Sequence, residues 1–233
     1  MMEGAIEHIL RRHHDIDEPS FGDIKNFYDQ HLHPDIINLE DAKVYNNVFA
    51  RGNWSGTFQF TEEGAQKFCL RVKPKEIIGI AAITSIYRPG PLAAGVHEDY
   101  IDAMANPHRI KYLNDDHREI TQETYGFLIF QEQIALLAHK LGGLTLDEGN
   151  LLRKILTKKG TGKDDKRNKL RIKFIDGCEK NGISTNDANA MWSKFGYFSG
   201  YGFNKSHAVA YSMISYQCAW LWTHYPAEWM AGS

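Results

Sequence analysis

Cysteine is scarce in this sequence: its 233 residues include three, Cys69, Cys178 and Cys218. They lie far apart among apolar or helical neighbours and leave an odd count, which argues against a disulfide framework and against the paired spacing of a zinc site. Long hydrophobic runs are missing too. No stretch reaches the ~18 apolar residues of a membrane span, and the most apolar tract, 208–222, is broken by Ser212, Ser215, Tyr216 and Gln217, as in a packed internal helix. The start, Met1-Met2-Glu3-Gly4, lacks the basic-then-apolar order of a signal peptide, and the cysteine usage reads as that of a cytosolic protein.

Nor does one sign of charge dominate. Lys plus Arg number 27 against 29 Asp plus Glu, which excludes a uniformly basic nucleic-acid binder. The distribution, however, is uneven. From Arg153 to Lys173 the basic residues are Arg153, Lys154, Lys158, Lys159, Lys163, Lys166, Arg167, Lys169, Arg171 and Lys173, against Asp164 and Asp165, so this stretch carries +8 and the remainder −10. The length suits one large domain or two small ones, burying about 70% of the extended surface on folding.

The pattern predicts a mainly α protein with a few short strands. Residues 1–52 are polar, broken by Pro19, Gly22 and Pro34, with short helical patterns such as 41–49. Residues 56–60 alternate like a short strand, and 61–63 then cap a helix. Pro74 suits the first turn of a helix ending near Tyr87. Pro89 and Pro91 lack amide donors, so Tyr87-Arg88-Pro89-Gly90-Pro91 is expected as a rigid loop presenting Arg88. A polar stretch follows to about Thr124, then an apolar strand-like run, 127–130, leading into a helix over 131–141. Thr145 and Glu148 have the spacing of a capping box, and residues 184–187 offer a second cap. Between Gly196 and Gly202 glycines alternate with aromatics, which suggests a flexible segment, and Ser206 is the expected cap of a helix starting at His207.

Read for chemistry, the cationic segment stands first. Basic side chains at a helix end beside a Gly-containing loop can close on a polyphosphate, and a solvated helix face is the bland alternative. In Gly200-Tyr201-Gly202-Phe203-Asn204-Lys205-Ser206-His207 the glycines allow close backbone approach, the aromatics can stack on bases, and Lys205 and His207 can reach phosphates; a capped loop would look the same. His13-His14-Asp15-Ile16-Asp17 offers two carboxylates and two imidazoles for a metal-dependent hydrolase. Its flanks, Arg11-Arg12 and Glu18-Pro19, mark a helix end and turn instead. His31 and His33 lack a third ligand at a recognisable spacing.

The order of the motifs is more informative than any one of them. Phe58-Gln59-Phe60, Tyr87-Arg88-Pro89-Gly90-Pro91, Thr124-Tyr125-Gly126 with Gln131-Glu132-Gln133, Leu151-Leu152-Arg153-Lys154, Lys158-Lys159, the 200–207 cluster and His224-Tyr225-Pro226-Ala227-Glu228 succeed one another. Over about 38–231 this series resembles the fingers region of the C-family bacterial replicative DNA polymerases, the DNA polymerase III alpha subunits. The resemblance implies a helical fingers domain over 53–233, with 1–52 as a palm-to-fingers connection. It implies that the domain binds the incoming dNTP and the template during DNA replication. The nucleotide would meet Arg153, Lys154, Lys158, Lys159, Arg88, Asn204, Lys205 and His207, and the DNA would meet Lys163, Lys166, Arg167, Lys169, Arg171 and Tyr201. Two departures stand out: Lys154 occupies the place of a usual second Arg, and Leu156-Thr157 that of Met-Gly.

The same resemblance implies a palm with catalytic Asp residues holding Mg²⁺, and this chain lacks its motifs. Asp15-Ile16-Asp17 falls in the connection and is read as non-catalytic. The chain would then be an inactive part of a DNA-directed DNA polymerase, needing a palm-bearing chain in trans, with primer-template DNA as partner and a sliding clamp reached through the palm chain. Its place would be the cytoplasm of a bacterial cell or a phage-infected one. A start beside the palm–fingers junction suggests a split gene of the phage or mobile-element kind; a shortened version or an inactive remnant would fit the same start. A non-catalytic nucleic-acid-binding protein is the alternative outside the enzyme class.

Overall fold

The computed structural model describes residues 1–157 and 164–232. Lys158, Lys159 and Lys163 lie outside the described residues. In chain order the helices are α1 (Met2–His13), α2 (Phe21–His31), α3 (Ala42–Val44, continued by a π-turn over Tyr45–Phe49), α4 (Glu63–Val72), α5 (Ile77–Ile86), α6 (Pro89–Ala93) and α7 (Val96–Ala105). They continue with α8 (Asp115–Thr121), α9 (Gln131–Gly142), α10 (Leu146–Thr157), α11 (Asp164–Lys180), α12 (Thr185–Ser199), α13 (Lys205–His224) and α14 (Pro226–Ala231). Among the described residues the expected short strands reduce to one isolated parallel bridge, Phe130 with Phe203. The chain divides into two compact units, Met1–Thr84 with Val209–Ser233, and Ser85–Ala208. The boundary expected near residue 52 lies inside the first of these.

In the first unit, α1 buries Ala5, Ile6, Ile9 and Leu10, one stripe at helical spacing, and places Arg11, Arg12 and His13 in its last turn, where cations offset the helix dipole. Its partner α14 comes so close that a Cβ on Gly232 would stand 2.4 Å from the Ala5 nitrogen. Ser20 and Asp23 form a reciprocal capping box for α2. The π-turn puts Tyr45, Val48 and Phe49 inside together.

The strand expected at 56–60 is absent. Gly56 and Gln59 have φ of 69° and 72°, far from extended geometry, and Phe60 N–H closes a turn on Thr57 O at 3.2 Å. A serine of α13 completes the segment, Ser215 Oγ–H donating to Phe58 O at 2.8 Å. The helix expected from Pro74 starts three residues later, at Ile77, and ends at Ile86, beside the expected end near Tyr87.

The second unit is organised around α9, whose Ile134, Leu137, Ala138 and Leu141 share a core with Leu152, Phe174, Trp192 and Phe195. Two glycines bring backbones into contact. A Cβ on Gly149 would stand 2.7 Å from Ala135 O, and one on Gly177 would stand 1.9 Å from Gly142 O, so α10 and α11 each cross α9 without an intervening side chain. Caps follow the sequence at Thr145–Glu148, with bonds of 2.8 and 3.2 Å in the two directions, and at Ser184, whose Oγ accepts from Asp187 N–H.

Three expectations are revised in this unit. Arg88 to Pro91 is no open loop: Pro89 and Pro91 sit in the first turn of α6, where a missing N–H leaves no helix bond unmade. The polar stretch before Thr124 contains α7 and α8. The segment from Gly196 is not a flexible link, because α12 continues through Ser199.

His117 on α8 is 4% exposed, and its Nδ1 accepts Leu113 N–H at 3.0 Å. Burial, with Lys194 adding to it, lowers its pKa from the ordinary 6.5 to about 4. Below pH ~6.5 the unfolded chain takes up a proton that the folded imidazole refuses until about pH 4, so stability falls across that window by ~2–3 kcal/mol. Denaturant titrations at pH 7 and pH 4.5 should show this decline, and His117→Gln should flatten it. Gly177→Ala should destabilise the second unit by ~3 kcal/mol or more, since the new methyl meets backbone, which cannot rotate away.

Candidate functional site

The N-terminus of α9 gathers the residues that matter. Gln133 is 2% exposed, and its amide is fully engaged: Oε1 accepts the N–H groups of Ile129 and Phe130, both at 3.0 Å, while Nε2 donates to Thr124 Oγ1 at 2.8 Å and Ile120 O at 3.2 Å. This fixes the apolar run that precedes α9. Against the fixed run lies the glycine–aromatic segment. Phe203 N–H donates to Ile129 O and Gln131 N–H donates to Phe203 O, each at 2.9 Å.

Three consecutive carbonyls of that segment are held. Tyr201 O accepts from Arg88 Nη2, Gly202 O accepts from Gln131 Nε2 at 3.0 Å, and Phe203 O is taken by the Gln131 backbone. Gln131 Oε1 in turn accepts from Arg153 Nη1 at 2.9 Å. Arg88 also donates from Nε to Ser85 O at 2.8 Å, and its guanidinium lies 4.6 Å from the centre of the Phe203 ring. Gly90 is required beneath Tyr201, since a Cβ there would come within 2.7 Å of the phenol ring.

The next residues form the start of α13. Asn204 Oδ1 accepts His207 N–H at 2.8 Å and Ser206 Oγ–H at 2.7 Å, so Asn204, not Ser206, is the cap, and the helix begins at Lys205 rather than His207. Glu132 accepts on both oxygens, from Asn204 Nδ2 and from Lys205 N–H, each at 2.9 Å. Lys205 pairs with Glu123 and lies 5.7 Å from the Phe130 ring centre.

Of the nucleotide-facing residues expected from the sequence, Arg88, Arg153, Asn204, Lys205 and His207 therefore converge on one segment, together with Tyr201 from the DNA-facing set. Arg88 departs from its expected exposure. It is half-buried, burial lowers its pKa without removing its charge, and the two donors described above meet carbonyls. Lys154 is exposed on α10. The remaining described DNA-facing residues, Lys166, Arg167, Lys169 and Arg171, are exposed on α11. Around the buried stripe of Leu170, Phe174 and Cys178, helical spacing places Lys166 and Lys169 on one flank and Arg167 and Arg171 on the other. Arg171 Nη2 donates to Asn189 Oδ1 at 2.6 Å, and Lys173 pairs with Glu148 at 2.7 Å.

Gln131, Glu132, Gln133 and Glu123 were not among the expected site residues, although the Gln131-Glu132-Gln133 run is conspicuous in sequence. Position alone does not show that one glutamine braces a loop and the other an arginine. In the first unit, Asp15 follows the end of α1 with φ of 55°, and the Asp17 carbonyl accepts from Arg11 Nε at 3.2 Å, a helix-end arrangement. Among the described residues no group of three or more His, Cys, Asp or Glu side chains could hold a metal ion.

The family described as the bacterial DNA polymerase III alpha subunit finger domain matches residues 20–182. This chain belongs to that family. The DNA polymerase III subunit alpha of Campylobacter jejuni is 36% identical over 208 residues, which are 89% of this chain and 17% of the relative. That of Borreliella burgdorferi is 37% identical over 205 residues, 87% of this chain and 17% of the relative, and that of Bacillus subtilis 36% over 199 residues, 84% and 17%. The chain thus spans about 17% of the length of these curated relatives. The finger-domain match begins inside the 1–52 segment expected as a connection, and the identity with the alpha subunits runs through most of both compact units.

The two glutamines of the finger domain should separate in a stability measurement. Gln133→Ala leaves buried N–H groups unsatisfied and should cost ~3 kcal/mol, whereas Gln131→Ala, at a half-buried position, should cost ~1 kcal/mol. Denaturant unfolding of both variants beside the parent checks the order.

Proposed function

We propose that this finger domain serves a DNA-directed DNA polymerase of the DNA polymerase III alpha type, binding the incoming dNTP and the template strand during DNA replication. The observation that carries this reading is the relay Arg153–Gln131–Gly202, which joins the first cation of the basic segment to the glycine–aromatic loop. An arginine already held by a neutral amide has less freedom to lose when it meets a phosphate. Arg153 and Lys154 would face the triphosphate and balance the charge that grows on pyrophosphate as it leaves. Lys158 and Lys159 would extend that basic surface, and Lys163, Lys166, Arg167, Lys169 and Arg171 would meet DNA phosphates. Tyr201, placed over Gly90, offers a flat face for a base. Arg88, Asn204 and Lys205 would act mainly by fixing the loop, with His207 one turn into the following helix.

In this reading the Mg²⁺ ions belong to a palm with catalytic Asp residues, acting in trans. The described residues of this chain provide no donor set for them, and this chain's contribution is to bind and orient the nucleotide. The other partners would be primer-template DNA and a sliding clamp reached through the palm chain, in the cytoplasm. Among the described residues no helix is long and apolar enough to cross a membrane.

Mixing the chain with a palm-bearing alpha-type chain tests the reading. The mixture should extend a primed template, and the chain alone should not. Arg153→Ala should lower kcat/KM for dNTP by about 10²-fold while the extent of DNA binding changes little. Unchanged extension kinetics would remove Arg153 from the site. Binding that falls steeply with salt and ignores dNTP throughout would favour a non-catalytic nucleic-acid binder.

A further inference from the structure

A cavity of the Ser85–Ala208 unit, about 530 Å³, is lined by none of Arg88, Arg153, Lys154, Asn204, Lys205 or His207. Its size is that of a small-ligand site. Its walls carry opposite charges. Asp99 and Asp102, one helical turn apart on α7, line it, as do Arg109 and Lys111 from the segment after α7 and Lys194 from α12. Some cations of the surrounding unit pair with carboxylates, as Lys140 does with Asp116, Lys173 with Glu148 and Lys205 with Glu123. In the cavity the exposed side chains of Arg109, Lys111 and Lys194 form no ion pair or hydrogen bond among the described residues, although two carboxylates line the same space, that of Asp102 accepting from Asn106 Nδ2 at 3.0 Å. A ligand that carries both hydrogen-bond donors and an anion would find partners for each among these residues.

The rest of the lining fits a flat molecule. Tyr125, Phe127 and Phe198 supply aromatic surface, and Gly126, at φ of 80°, would place a Cβ 2.9 Å from Ile110, so glycine lets the wall close at that point. His117 also lines the cavity. With Nδ1 accepting Leu113 N–H, its neutral ring carries the proton on Nε2, a donor beside the Lys194 charge.

We propose that this cavity binds a nucleotide unit with a single phosphate, its phosphate toward Lys194 and Lys111 and the exocyclic amino group of its base toward Asp99 and Asp102. The choice of a nucleotide over an aromatic amino acid rests on the finger-domain reading; the polarity of the cavity does not. A base without an amino group, thymine, should bind less well, because it leaves the carboxylates unmatched. The phosphate could be that of a free monophosphate or of an unpaired residue in single-stranded DNA.

The full chain, isotopically labelled, can be titrated with dCMP, dGMP, dTMP, inorganic phosphate and L-tyrosine and followed by NMR at the amides of Lys111, Tyr125 and Gly126. We expect dCMP and dGMP to shift these amides with a Kd about ten-fold below that of dTMP, and Lys194→Glu to weaken dCMP by about ten-fold or more. The double variant Asp99→Asn with Asp102→Asn should erase the preference over dTMP. Competition by an oligo-dC strand tighter than dCMP assigns the ligand to single-stranded DNA, and weaker competition assigns it to the free nucleotide. Inorganic phosphate or tyrosine shifting these amides as strongly as dCMP overturns the proposal, as does dCMP binding unchanged in Lys194→Glu. A dNTP titration read at Lys154 and His207 in the same spectra tests the triphosphate site separately, so either site can fail while the other stands.

Discussion

The second unit depends on the docking of a glycine-containing segment against the start of α9. Backbone carbonyls of Tyr201, Gly202 and Phe203 each accept from a different donor, and Asn204 closes the arrangement by capping α13 and bonding Glu132. Glycines usually leave a chain free to sample many conformations. Gly202 here serves close approach, since a Cβ on it would stand 3.0 Å from Gln131, and Gly90 of α6 does the same beneath Tyr201. Arg88 and Gln131, far apart in sequence, thus bond one short stretch of backbone directly, with Arg153 held to Gln131 behind it.

This arrangement changes the meaning of positive charge in the domain. Counted along the chain, Arg88 and Lys205 belong with Arg153 as cations available to a polyphosphate. In space, Arg88 is bound to carbonyls and a ring, and Lys205 to Glu123. The same residue type therefore does two kinds of work. Some cations build the loop, and those exposed on α11 form the open basic surface. In the cavity, α7 acids and α12 Lys194 line a common space without an ion pair between them.

Much of the helical architecture is legible in the sequence because its signals are local. The Thr145–Glu148 and Ser184–Asp187 caps and the end of α5 need only a few neighbouring residues to specify them. What resists reading is decided at long range. Residues 56–60 alternate like a strand but turn twice, because Gln59 is left-handed and an α13 serine takes the Phe58 carbonyl. Pro89 and Pro91 read as a loop, yet both fit a first helical turn. For the candidate site, the motifs mark most of the converging residues. They cannot reveal that Gln131 links Arg153 to Gly202 across separations of 22 and 71 residues, or that Arg88 points to carbonyls.

The paired glycine crossings of α9 have a mechanical consequence. Where Gly149 meets Ala135 and Gly177 meets Gly142, backbone rests on backbone, with no layer of rotatable side chains to absorb a displacement. Any tilt of α9 would therefore have to be matched by α10 and α11 or open these two crossings, because close-packed backbones have little room to slide.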